Sequence, residues 1–316
     1  MSVQRKAAWI NLAALILVNL MWAAQYPAYK VAGDSMGAAA LNFWTLVFAS
    51  VLLIPLWLRQ RLKRREPKRF ERKILLEYLA LGLLGIIPPS VMLSWGIAHS
   101  SASNAAILSL TIPILMTALG VVMLKEKLTL VRILCLFLGL TGTVLVSTSD
   151  LSQASLSRNL LLGNLVILIA GGGSAFYNTY SKDLLARYSE LEVLIYSYAV
   201  ATVGCALISM VFESKPFYHI TGYSRETWLA IAVLGMLSWG VAMILWMWVL
   251  KRLEVGQIAT SIYLLPLFGL ILSVLTVHDR ITLPQILGGV LTVVGTAILT
   301  LFEGRHSVEV AASHIN

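Results

Sequence analysis

The sequence predicts an all-α integral membrane protein of ten transmembrane helices arranged as two inverted five-helix repeats. Three observations carry that prediction. Of 316 residues, 58% are hydrophobic and 12% charged, and the mean hydropathy is +0.82, far more apolar than an average soluble domain. Apolar stretches long enough to cross ~30 Å of hydrocarbon recur along the whole chain, with no gap that could hold a soluble domain. The chain also repeats itself, because residues 101–147 recur as 254–300. A shift of 153 positions puts Pro113 on Pro266, Glu126 on Asp279, Lys127 on Arg280, Thr129 on Thr282, Gly142 on Gly295 and Thr143 on Thr296. Leu and Ile coincide by chance in any two apolar segments, so only these other matches count as evidence of a repeat.

The predicted spans are roughly 8–28, 40–58, 74–97, 103–123, 130–148, 160–180, 191–212, 227–250, 257–277 and 283–302. Spans 1 to 5 match spans 6 to 10. A shift of 152 aligns Ala23 with Ala175 and Lys30 with Lys182, and one of 151 aligns Met92 with Met243 and Trp95 with Trp246. Five is odd, so the second set enters the membrane with the opposite orientation. The first repeat occupies 1–150 and the second 151–316, joined by the Ser-rich, nearly uncharged stretch 147–159.

Placing the N-terminus in the cytoplasm assigns 19 of the 24 Lys and Arg to cytoplasmic segments and 5 (Lys30, Arg158, Lys215, Arg225 and Arg280) to the other side. That asymmetry is the positive-inside rule, and it predicts both termini in the cytoplasm. The run RQRLKRREPKRFERK at 59–73 supplies most of the net charge of +9. It reads as a topology anchor beside anionic lipid and not as a nucleic-acid surface. Cys135 and Cys205 both fall inside apolar spans as small buried hydrophobes.

The order of spans, the stretch NAAILSLTIPILMTALGVVMLKEKLT, the GLTGTVLV that follows it, and the second copy ATSIYLLPLFGLILSVLTVHDRIT with VVGTAILT resemble the EamA family of the drug/metabolite transporter superfamily. The resemblance covers essentially the whole chain. It implies a secondary transporter of two inverted five-helix repeats, usually exporting small metabolites or amino acids across the bacterial inner membrane. The chain departs from the family's pattern in reading WAAQYP after the first-span aromatic Trp22, in having Ser174 at the matching place of the second repeat, and in having Asp279 where Glu is usual.

Enzyme chemistry finds no support: no metalloprotease, nucleophile-elbow or phosphate-loop motif and no paired carboxylates within a span are present. No cofactor and no metal site are expected. The partners are a small-molecule substrate and the lipid bilayer, and oligomeric state and direction of transport are left open. In a transporter of inverted repeats the substrate sits near the midplane, between the repeats.

Polar and aromatic residues inside spans are the candidates, since hydrocarbon offers them no partner. Asn19, Trp22 and Tyr26 share one face of span 1. Met92 and Trp95 share a face of span 3 with Pro88 and His99, and Trp239, Met243 and Trp246 repeat that pattern on span 8. Span 4 contributes Asn104 and Thr111, span 6 Ser174, Tyr177, Asn178 and Ser181, and span 9 Gln257, Ser261 and Tyr263. Plain interhelical hydrogen bonding is the alternative for Asn19, Asn104, Asn178 and Gln257. Trp9, Trp57 and Trp228 lie at span ends, where Trp belongs to the interfacial belt. Pro113 and Pro266 take matching mid-span places and are the candidate hinges. No Asp, Glu, Lys or Arg lies near the centre of any span, so the site should suit neutral, zwitterionic or amphipathic solutes held by aromatic faces and amides.

Overall fold

The computed structural model describes residues 3–33, 35–63, 72–99, 108, 110–147, 158–265, 267–268, 271 and 283–303. Among them every regular element is a helix. Five stretches are long and apolar enough to cross a membrane, namely Lys6–Ala23, Ala38–Lys63, Lys73–Gly96, Glu190–Phe212 and Arg225–Leu250. Shorter apolar helices cover Thr111–Leu124, Leu130–Gly142 and Ile286–Leu301. Large side chains such as Val51, Leu134, Phe137, Leu207 and Val290 are exposed on the outside of the bundle, the surface a lipid-embedded protein needs, since hydrocarbon and not water covers it.

The first half begins with α1 (Val3–Ala23), which breaks at Ala24 and resumes as α2 (Gln25–Gly33), where one span of 8–28 was expected. The helix α3 (Ala38–Lys63) ends in Arg61 and Lys63, cations placed where the helix dipole is negative. The third span is composite: α4 (Arg72–Gly85), a π-helical stretch Pro88–Met92 and α5 (Leu93–His99). Neither Pro88 nor Pro89 has an N–H to complete the α-helical ladder, so the ladder widens there. The Ser90 hydroxyl donates to the carbonyls of Ile86 (2.7 Å) and Ile87 (3.2 Å). The helix α6 (Thr111–Leu124) ends at Lys125, whose φ of 57° is left-handed, and α7 (Leu130–Ser147) follows a short turn.

The second half holds α8 (Arg158–Leu185), α9 (Glu190–Phe212), α10 (Arg225–Ala232), a π-helical stretch Val233–Val241, α11 (Ala242–Leu250), α12 (Val255–Ala259) with a 3-10 extension Thr260–Tyr263, and α13 (Leu283–Ile298). Ser189 opens α9 with a full capping box completed by Glu192. The helical irregularities recur with the sequence repeat. A shift of 151 lays the π-helical Pro88–Met92 over 239–243, overlapping the π-helical Val233–Val241. A shift of 153 lays Leu110, after which α6 begins, over Tyr263, where the 3-10 extension ends.

Packing follows the same exchange. The matched pairs α3 and α9, α6 and α12, and α7 and α13 each lie side by side. Where α1 packs on α11, the corresponding α8 packs on the π-helical Pro88–Met92 and α5. The α7–α13 interface obeys the exchange residue by residue. A Cβ at Gly142 would meet the Gly288 carbonyl oxygen at 2.5 Å and the Thr292 nitrogen at 2.9 Å, and one at Gly295 would meet the Cys135 carbonyl oxygen at 3.2 Å and the Gly139 nitrogen at 3.6 Å. Shifting by 153 turns each contact into the other. Small residues allow this backbone approach, which is how helices gain contact area when lipid removes the hydrophobic driving force between them. Both cysteines are buried and neither is in a disulfide.

Candidate functional site

Three of the expected residues meet where α1, α8 and α11 converge. Trp246 on α11 is 0% exposed, and its ring lies 4.9 Å from that of Trp22 on α1, tilted by 49°. Its indole Nε1–H donates to the Asn178 side-chain oxygen on α8 at 2.5 Å. Asn178 is in turn fixed by its amide donating to the Ser174 carbonyl at 2.8 Å. Trp22 donates its own Nε1–H to the Ser238 carbonyl (3.2 Å), and the Ser238 hydroxyl donates to the Met21 carbonyl (3.3 Å). Those carbonyls become acceptors because the π-helical stretch Val233–Val241 and the break at Ala24 leave the local ladders irregular. The result is an aromatic box of two indoles and a carboxamide, drawn from both halves of the chain.

A second network lies beside it. Trp239 donates Nε1–H to the Tyr29 hydroxyl (3.1 Å), which donates to the Asn42 side-chain oxygen (3.4 Å). The Tyr198 hydroxyl donates to the Trp239 carbonyl at 2.8 Å. Of these, only Trp239 was expected. Tyr29 could have been found by extending the Asn19–Trp22–Tyr26 face by one turn. Asn42 and Tyr198 stand on spans 2 and 7, whose polar residues had not been considered.

Other expected residues take different places. Asn19 is 0% exposed, donates to the Leu15 carbonyl at 2.8 Å, and leaves its side-chain oxygen without a hydrogen-bond partner among the described residues. Met243 is buried in the core, Met92 is half-buried, and Tyr177 packs its ring edge where Gly85 leaves room. Gln257 accepts from the Glu254 backbone N–H at 3.0 Å as part of a helix cap, and Ser261 donates to the Ile258 carbonyl at 2.7 Å. The Tyr263 hydroxyl donates to the Leu110 carbonyl at 3.3 Å, joining the two matched helical breaks. The Thr111 hydroxyl donates to the Leu108 carbonyl at 2.6 Å. Trp95, the sequence match of Trp246, is 43% exposed. In sequence, the place of Trp22 is taken in the second half by the much smaller Ser174.

Pro113 was expected at mid-span as a kink. It sits instead in the first turn of α6, buried, with the Thr117 hydroxyl donating to its carbonyl at 2.9 Å. Asn104 and Pro266 lie outside the described residues, as does the side chain of Tyr26.

A multi-span helical bundle of two matching halves, with aromatic and amide groups between them, defines a polytopic membrane transporter. The model of the EamA-like transporter family matches residues 9–148 and again 161–301, and the chain belongs to that family. It is 28% identical over 305 residues to a protein of Streptantibioticus cattleyicolor named "Probable terminal-alkyne amino-acid exporter", covering 93% of both chains. It is 24% identical to the uncharacterized transporter YoaV of Bacillus subtilis, covering 93% of this chain and 98% of that one. A solved crystal structure with 19% sequence identity superposes with a TM-score of 0.75 over 93% of this chain and 95% of the other, a likeness of fold.

Proposed function

We propose that this membrane transporter is a secondary, alternating-access exporter of small organic solutes, amino acids among them, in a bacterial inner membrane. Its ten spans form two inverted repeats over 1–150 and 151–316, and both termini face the cytoplasm. The observation that carries this reading is the Trp22–Trp246–Asn178 box. It lies between the halves, where a rocking motion changes access from one side to the other. With Trp246 sealed and the Asn178 carboxamide engaged by Trp246 and Ser174, a solute reaches the box when the halves rock apart, and then meets two indole faces and a carboxamide that orients a polar end. The box contains no charged side chain, which suits a solute whose charges balance. The exporter name carried by the relative from Streptantibioticus cattleyicolor supports the same solute class.

The test is counterflow in liposomes holding the purified protein, using labelled solutes chosen by a thermal-stabilisation screen. A solute that binds the native state raises its stability by mass action. Stabilisation by zwitterionic or amphipathic solutes with counterflow of the same compounds is the expected result. Stabilisation without counterflow of any of them would remove the transport reading.

A further inference from the structure

A cluster of charged side chains outside the aromatic box converges on one turn. The segment Lys251–Glu254 joins α11 to α12 and leaves orphan carbonyls behind it and orphan N–H groups ahead of it, as every helix end does. Lys182, near the end of α8, donates its ammonium to the carbonyls of Leu250 (2.7 Å), Lys251 (3.2 Å) and Leu253 (2.8 Å). Glu126, in the turn between α6 and α7, accepts the N–H groups of Val255 (2.6 Å) and Gly256 (2.9 Å). Arg132, in the first turn of α7, pairs with Glu254, and its guanidinium lies 3.6 Å from Glu126. The side chains of Arg132 and Glu126 are 4% and 6% exposed. Burial pushes the Glu126 carboxyl above its ordinary range, and Glu254 adds to that rise, against the pull of Gly256, Val255 and Arg132.

Such a cluster is a poor way to gain raw stability, because desolvating four charges cancels most of their attraction. It is a good way to fix one arrangement and release it whole. Two of the ties cross between halves, since Glu126 and Arg132 come from the first and the clamped turn from the second, while the Lys182 tie lies within the second. The sequence match is also unequal. Shifts of 152 and 153 put Lys182 on Lys30 and Glu126 on Asp279, but Ser101 stands where Glu254 would be matched and Gln285 where Arg132 would be. The Arg132–Glu254 pair, buried on the Arg132 side and 37% exposed at the Glu254 side chain, therefore has no charged match in the other half.

We propose that Arg132 and Glu254, with Glu126 and Lys182, are positioning residues of the transport cycle that hold the cytoplasmic end shut, and that their unmatched ion pair makes the cytoplasm-closed state the resting state of the empty protein. The inference rests on the transport and topology readings above. Opening requires the α11–α12 turn, held in shape by Lys182, to leave Glu126 and Arg132 together, which makes the closure two-state.

The test uses the full chain in membrane vesicles with Ile258→Cys, a fully buried place one turn into α12. Labelling by a membrane-impermeant maleimide from the cytoplasmic face is compared with the parent lacking that substitution. Arg132→Gln or Glu254→Gln should speed labelling about tenfold, the scale of one lost hydrogen bond between charged groups. The conservative Arg132→Lys, which keeps a cation beside both carboxylates, should leave labelling slow, which no general loosening of the fold would do. Unchanged labelling in either Gln variant, or fast labelling in Arg132→Lys at parental thermal stability, overturns the proposal. Solute counterflow is measured in the same preparations. Counterflow with unaltered labelling sinks the gate alone, whereas labelling sped in both Gln variants and slow in Arg132→Lys, without counterflow, supports the closure and removes the transport reading.

Discussion

Trp246 gives its indole N–H to Asn178 at 2.5 Å across the α8–α11 contact, and both groups are buried. Neither could be left alone without cost, since a buried donor or acceptor that loses its partner forfeits its hydration with nothing in return. Trp246→Phe should therefore lower stability by roughly 1–2 kcal/mol, and Asn178→Leu by a similar amount. The double variant should cost less than the sum, because the second change no longer strands a partner. Equilibrium unfolding of the purified protein in detergent measures all three. Strict additivity would mean that the two groups do not sense each other.

The aromatic box predicts an order of effects on solute affinity. Trp22→Ala and Trp246→Ala each remove a face of the box and should weaken binding about tenfold or more, the scale of one buried aromatic contact. Trp95→Ala should do less, because Trp95 is 43% exposed while Trp246 is sealed against Trp22. Trp57→Phe is the control, since that ring packs edge-on against Tyr196 beside Arg61. Binding at matched protein levels reads the order. Equal loss in Trp95→Ala and Trp246→Ala would return the site to a symmetric arrangement of the two spans.

Two glycines separate close approach from open space. At Gly142 an added methyl group would lie 2.5 Å from the Gly288 carbonyl oxygen, and backbone cannot step aside as a side chain can. Gly142→Ala should lower stability by about 1–3 kcal/mol. At Gly172 nothing lies within 4 Å of an added Cβ, and Gly172→Ala should be neutral or stabilise by up to about 1 kcal/mol through helix propensity. Thermal unfolding decides, and equal melting of the two variants would contradict the α7–α13 contact.

The basic residues predict sidedness. A single Cys placed within 152–157 should react with an impermeant reagent added outside the cell, and one placed within 62–68 should not, given the 19 to 5 division of Lys and Arg. The reverse pattern would invert the topology and with it the side on which the Arg132–Glu254 pair acts.

Composition and the 153-residue echo were enough to read an all-helical membrane protein in two matching halves, because hydrocarbon permits few spanning structures and imposes a length on each. Trp22, Asn178 and Trp246 were legible as candidates for the same reason: polar and aromatic groups are few inside a span, and each needs a partner. Which partner each finds was decided in three dimensions. The repeat aligns Trp95 with Trp246 and suggests equal roles, yet Trp246 is sealed against Trp22 while Trp95 is 43% exposed. Pro113 reads as mid-span in sequence, and the structure places it in the first turn of α6, two residues after that helix begins. The clamp of Glu126, Arg132, Lys182 and Glu254 lies at span ends, where charges are ordinary in sequence and pass for topology signals. Their meaning comes from distance, since contacts between residues 122 and 130 positions apart, such as Arg132 with Glu254 and Glu126 with Gly256, exist only after the two halves have packed.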